Sequence, residues 1–120
     1  MRRLLCVAAL VLVAAPAIGQ EIPEATRKDF WCGVAFDLAA RDVPEDAAAE
    51  VRSVTDPYKL GAQRLIERAT PVYLESGYTE EAFTAFRAET EATIAAELAS
   101  TDPALRPAYS FEDCAALLGL

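Results

Sequence analysis

Phe30-Trp31-Cys32-Gly33-Val34-Ala35-Phe36 is the stretch on which the fold turns. Within the segment Thr26 to Arg41, Phe30, Trp31, Val34, Ala35 and Leu38 fall at helical spacing, so one face of a helix is apolar. Cys32 and Phe36 flank that stripe. Thr26 followed by Asp29 resembles a helix-starting capping pair. Gly33 inside such a helix costs up to ~1 kcal/mol relative to Ala. A close neighbour is therefore expected there, and the segment around Cys114 is the expected one.

Toward the N-terminus the character changes. Arg2 and Arg3 precede an unbroken apolar run of twelve residues, Leu4 to Ala15, and Pro16 ends it. Ala17-Ile18-Gly19 then sets small residues at the −3 and −1 positions of a cleavage site. These are the parts of a secretory signal peptide, residues 1–19, with cleavage after Gly19 and Ala17 as the alternative. The competing reading is a permanent anchor. Twelve residues cover about 18 Å, short of the ~30 Å hydrocarbon core. Arg2-Arg3 lacks the flanks of a twin-arginine signal, and Cys6 lies too early for a lipoprotein cysteine. A periplasmic or secreted protein without stable membrane insertion is expected.

Residues 20–120 then form a single domain of 101 residues. They keep all nineteen acidic groups and nine of the eleven basic ones, a formal charge of −10. Forty-nine are apolar, but twenty of those are Ala, so the core is modest. Val and Ile together number eight, while Ala, Glu, Arg and Leu dominate. That is the composition of helices, and the expected class is all-α. Cys6 leaves with the signal peptide, so Cys32 and Cys114 remain to form one disulfide. On the chain-entropy model, closing a loop of about 80 residues contributes roughly 4 kcal/mol. A buried unlinked pair or a redox dithiol are the alternatives, although no Cys-x-x-Cys occurs.

Further helices follow along the chain. Pro44 suits a first turn, with Glu45 and Asp46 beside the positive helix end and Ala47, Val51 and Val54 on the stripe. That helix should stop before Pro57, with Asp56 capping the next. Tyr58, Ala62, Leu65, Ile66, Ala69 and Tyr73 continue at helical steps, and Pro71 either ends this helix near Ala69 or kinks it. Ser76-Gly77 is a stop, with Gly77 placed for a left-handed cap. Thr79 caps a helix running to about Ala99, with Phe83, Phe86, Thr90, Ile94 and Leu98 as its buried stripe. Ser110 and Asp113 open a short last helix carrying Phe111, Cys114, Ala115, Leu117 and Leu118. The expected architecture is a compact bundle of about four helices, its first and last stapled by the disulfide.

Several chemistries are excluded. Without His there is no Ser–His–Asp or Cys–His catalysis and no imidazole ligand. A charge of −8 for the whole chain argues against a nucleic-acid partner. Cys-x-x-Cys-His is absent, so no haem attaches that way, and no cofactor is expected. Ser53, Ser76, Ser100 and Ser110 have only Lys28 and Lys59 as a base, so no catalytic residue can be named. Glu80, Glu81, Glu89 and Glu91 read as a solvated helix face rather than a metal site, since calcium loops need oxygen ligands on a Gly-bearing loop.

The aromatic residues are the candidates that remain. Trp31 reads either as core or as an interface anchor, because Trp is over-represented among interface hot spots. Tyr58 and Tyr73 read as core, and Tyr78 packs back on its own helix end. Trp31, Tyr78 and Tyr109 are the candidate partner-binding residues.

In layout, Trp31-Cys32-Gly33-Val34-Ala35-Phe36 with Cys114 resembles small exported helical two-cysteine proteins of Gram-negative bacteria. These pair a Trp-Cys-x-x-Ala-Phe-like segment near the start with one cysteine near the end. The resemblance is specific at a handful of positions, and it implies a fold and a compartment but no activity. More loosely, the chain is similar to small acid-activated periplasmic chaperones, whose motifs it lacks, so no residues carry over. The expected function is a non-enzymatic binding protein of the envelope, its partner another envelope protein. An acid-stress chaperone is the alternative, since side-chain carboxylates titrating near 4 would swing the charge from about −10 to about +9. A small carboxylate-dependent enzyme is the second alternative.

Overall fold

The computed structural model describes residues 21–120. The proposed signal peptide, residues 1–19, lies outside the described residues. Four helices make up the rest: α1 (Glu24–Arg41), α2 (Ala49–Glu75), α3 (Glu80–Ala99) and α4 (Phe111–Leu117). The described residues contain no strand, and the fold is an all-α bundle.

Helices α1 and α2 pack antiparallel as the frame. Phe30 is the centre of one core cluster, fully buried among Val34, Ala69, Tyr73, Phe83 and Ile94. Its ring lies 5.3 Å from those of Tyr73, Phe83 and Phe86. Burying such a ring contributes on the order of 2 kcal/mol, and each aromatic pair roughly 1 kcal/mol more. This cluster holds α3 against α1 and α2. A second cluster joins Cys32, Phe36, Ala62, Leu65 and Cys114, and it seats α4 on the other side. The Cys32–Cys114 disulfide is formed, with the Cα atoms 5.3 Å apart and 82 positions between the residues in sequence. Trp31 touches both clusters.

Several local expectations meet a different outcome. Helix α1 begins at Glu24, after Pro23, so Thr26 is inside it and is not its cap. Asp29 turns toward Arg68 of α2, both N···O distances being 2.7 Å. Pro44 to Ala48 forms turns, and the chain does not break at Pro57. One helix of 27 residues, about 40 Å long, contains both Pro57 and Pro71. The two prolines are separated by close to four helical turns and therefore share a face. Both are exposed, as are Ser53 and Glu67, whose carbonyls lose their helical partners, so water replaces those bonds. Val51 and Val54 stay exposed because this end of α2 extends past the end of α1.

Gly33 does carry a close neighbour, but that neighbour is α2. A Cβ there would stand 2.8 Å from Ile66 Cγ1 and 3.1 Å from the Ala62 carbonyl oxygen. The segment after Cys114 approaches another glycine, Gly61, through the side chain of Leu118.

The caps fall where the turn residues place them. Thr79 Oγ1 accepts from the Ala82 N–H, and Ser110 Oγ from the Asp113 N–H. At the end of α2, Gly77 adopts φ 114°. The Tyr78 N–H donates to the Tyr73 carbonyl and the Gly77 N–H to that of Leu74. This is a left-handed cap with its accompanying apolar contact, since the Tyr78 ring lies 5.4 Å from that of Tyr73.

Candidate functional site

The face of α1 not covered by α2 carries Trp31, Ala35 and Ala39, one turn apart. Because α3 and α4 seat on different clusters, they leave a groove over these three residues. Leu98 of α3 forms one wall, with Tyr109 and Phe111 forming the other. The groove has a volume of about 460 Å³. Its sole charged lining residue is Arg106. Leu98 and Phe111 are 60% and 63% exposed, large apolar side chains left open to solvent at its edges.

Trp31 is half-buried, and Tyr109 meets it edge to face with centroids 5.6 Å apart. Tyr109 is anchored in turn. Its hydroxyl donates to the Glu24 carboxylate, and the Lys28 ammonium lies 5.9 Å from its ring centroid. Burial first, and the bond to Glu24 second, push the Tyr109 phenol up to about 12. The wall is thus tied to α1 by an aromatic contact, a hydrogen bond and a nearby disulfide.

Beyond the groove, four charged side chains link α1 to α3. Arg41 donates to Asp37 at 2.6 Å and to Glu91 at 3.1 Å, and Arg87 approaches the same two carboxylates at 3.5 and 3.6 Å. The bonds from Glu91 and Asp37 hold the Arg41 guanidinium above its ordinary value.

On the α3 side of Trp31 lies a second pocket, of about 450 Å³, lined by Phe86, Glu89, Thr90, Thr93, Glu97 and Ala108 as well as Trp31. The Oε2 atom of Glu97 is buried and has no hydrogen-bond partner among the described residues. Trp31 separates this polar pocket from the apolar groove.

Of the three aromatic candidates, Trp31 and Tyr109 come together and Tyr78 does not. Tyr78 packs on Tyr73, Phe83 and Phe86 at the end of α2. Sequence reasoning missed Leu98 and Phe111 as groove walls, because periodicity placed both on buried stripes. Ala35 and Ala39, spaced by four from Trp31, carried a signal for the floor. Glu80, Glu81 and Glu89 are exposed on α3, while Glu91 pairs with arginine. Among the described residues, no three His, Cys, Asp or Glu side chains are placed to hold a metal ion, and no helix is long and apolar enough to cross a membrane. Comparison with family models, curated proteins and solved structures found no match to this chain.

Proposed function

We propose that the protein is an exported binding module of the bacterial envelope that holds an apolar segment of another protein in the Trp31 groove. The observation that carries this reading is the groove itself: an apolar trough between α3 and α4, with large side chains exposed at its edges. A small domain hides such surface unless something else covers it. The floor is rigid because α1 is fixed on both sides by the two core clusters. Trp31 and Tyr109 supply broad contact area at low entropic cost, as aromatic anchors do.

A photo-crosslinking residue placed at Ala39 in the full chain, in living cells, tests this. Capture of one envelope protein from Ala39 and not from the exposed outer-face position Gln63, lost on Leu98→Glu, is the expected result. Equal capture from both positions would sink it.

A second reading, an acid-stress chaperone, is favoured by the way the helices are joined. Carboxylates pair with arginine at Asp29–Arg68 and in the Asp37–Arg41–Arg87–Glu91 group. Protonating those carboxylates at low pH removes the pairs and leaves the bundle positively charged. Unchanged near-UV and far-UV circular dichroism from pH 7 to pH 3, with no protection of an aggregating client, rules this out.

A further inference from the structure

We infer that the pocket on the α3 side of Trp31 is a cation site, taking the ammonium or guanidinium of a Lys or Arg that lies beside the apolar residue seated in the groove. This rests on the binding reading above and names the chemistry of the partner segment.

The pocket offers acceptors. Its polar side chains are Glu89, Thr90, Thr93 and Glu97, all on α3. The hydroxyl of Thr90 already donates to the Phe86 carbonyl at 2.8 Å, and that of Thr93 to the Glu89 carbonyl at 3.0 Å. With their protons committed to the helix, both hydroxyls present lone pairs to the pocket. The two carboxylates add more acceptors and negative charge. An occupant that satisfies this set is a donor and a cation.

Glu97 singles out where the cation sits. Burying a carboxylate oxygen without a partner is costly, and a cationic donor offsets that cost best. No basic residue lines the pocket. The two arginines on the α1–α3 side, Arg41 and Arg87, are engaged by Asp37 and Glu91. Trp31 and Phe86 supply ring surface, which attracts a cation within about 6 Å of a ring centre.

The occupant follows from the two compartments together. Trp31 lines both, so a large apolar side chain in the groove and a Lys or Arg side chain in the pocket come from neighbouring positions of one segment. Charge complementarity agrees, since the chain carries 19 acidic groups against 11 basic ones.

The single Trp of the chain makes the test direct. Oxidised protein purified from the envelope is titrated by Trp31 fluorescence with acetyl-Leu-Lys-Leu-Leu-amide and with the same peptide carrying norleucine for Lys. The Lys peptide is expected to bind about tenfold more tightly, the size typical of a charged hydrogen bond. Glu97→Gln should bring that ratio below about twofold and leave the norleucine peptide unchanged, whereas Glu80→Gln, the same charge change at an exposed position, should preserve it. Circular dichroism checks that each variant is folded, and Glu89→Gln serves as the second pocket variant.

Equal binding of the two peptides to the wild-type protein overturns the cation site while the groove reading stands. A ratio that survives Glu97→Gln and Glu89→Gln overturns the pocket assignment. Butylamine binding as tightly as the Lys peptide assigns the pocket to a free amine and overturns the segment. Failure of both peptides to bind overturns the groove reading itself.

Discussion

Asp29 and Arg68 meet in a two-pronged ion pair across the α1–α2 interface, Nε to Oδ2 and an Nη to Oδ1 both at 2.7 Å. The two partners are unequally exposed: the Asp29 side chain is 11% accessible and that of Arg68 60%. The bond to Asp29 holds the Arg68 guanidinium above its ordinary value, against the smaller opposing effect of burial. Removing Arg68 therefore leaves a carboxylate facing the interface without its partner. Arg68→Met is expected to cost roughly 1–2 kcal/mol in urea denaturation, at the low end for a charged pair because the arginine is screened. Asp29→Asn combined with Arg68→Met should cost less than the two single losses added together. Strict additivity would show that the pair is not coupled.

Gly33 and Gly61 should respond differently to alanine. At Gly33 the added Cβ meets the backbone oxygen of Ala62 and the Cβ of Leu65, both at 3.1 Å, besides Ile66. Backbone of a packed helix cannot step aside, so Gly33→Ala should destabilise by about 1–3 kcal/mol despite its better helix propensity. At Gly61 the three nearest atoms all belong to the Leu118 side chain, which can rotate away. Gly61→Ala should cost less than Gly33→Ala, and a reversed order in thermal denaturation would contradict this packing.

Reduction of the Cys32–Cys114 disulfide should release α4. Seven residues are too few to remain helical alone, since isolated helices below about 12 residues are marginal in water. The expected loss of stability is on the order of 4 kcal/mol, from the loop-closure term. As Tyr109 and Phe111 leave with α4, Trp31 loses one neighbour and its emission should shift to the red. An unshifted emission after complete reduction would mean that the Tyr109 contacts hold α4 without the disulfide.

Alkaline titration should weaken the fold between pH 10 and pH 12. Burial, with the neighbouring Tyr78 phenol adding to it, pushes the Tyr73 phenol up to about 12, where Tyr109 also lies. An unfolded tyrosine loses its proton near 10. Below pH 10 both states keep the proton and the stabilisation is fully present. Between the two values only the unfolded state releases it, so stability falls as pH rises. Tyr73→Phe should flatten much of that slope. An unaltered slope in Tyr73→Phe, read by denaturation at stepped pH, would remove Tyr73 from the account.

What could be read locally was read well. The capping of α3 and α4 by Thr79 and Ser110, and the left-handed Gly77, depend on hydrogen bonds spanning a few residues. The pairing of Cys32 with Cys114 followed from arithmetic. The prolines were misread because propensity does not say which side of a helix faces water. With Pro57 and Pro71 both on the outer face, α2 runs through them. Leu98 and Phe111 were misread for a related reason. Periodicity marks an apolar stripe, but a stripe is buried only where another element reaches it.

The amino-acid sequence alone determined an all-α domain with one staple and an aromatic–cysteine helix at its centre, because helix propensity and period are properties of neighbouring residues. The tertiary structure alone decided that Ile66 lies over Gly33, that α3 and α4 stand apart, and that Trp31 divides an apolar groove from a pocket of acceptors. Those outcomes depend on which faces of distant helices compete to cover one another, and no local pattern records that competition.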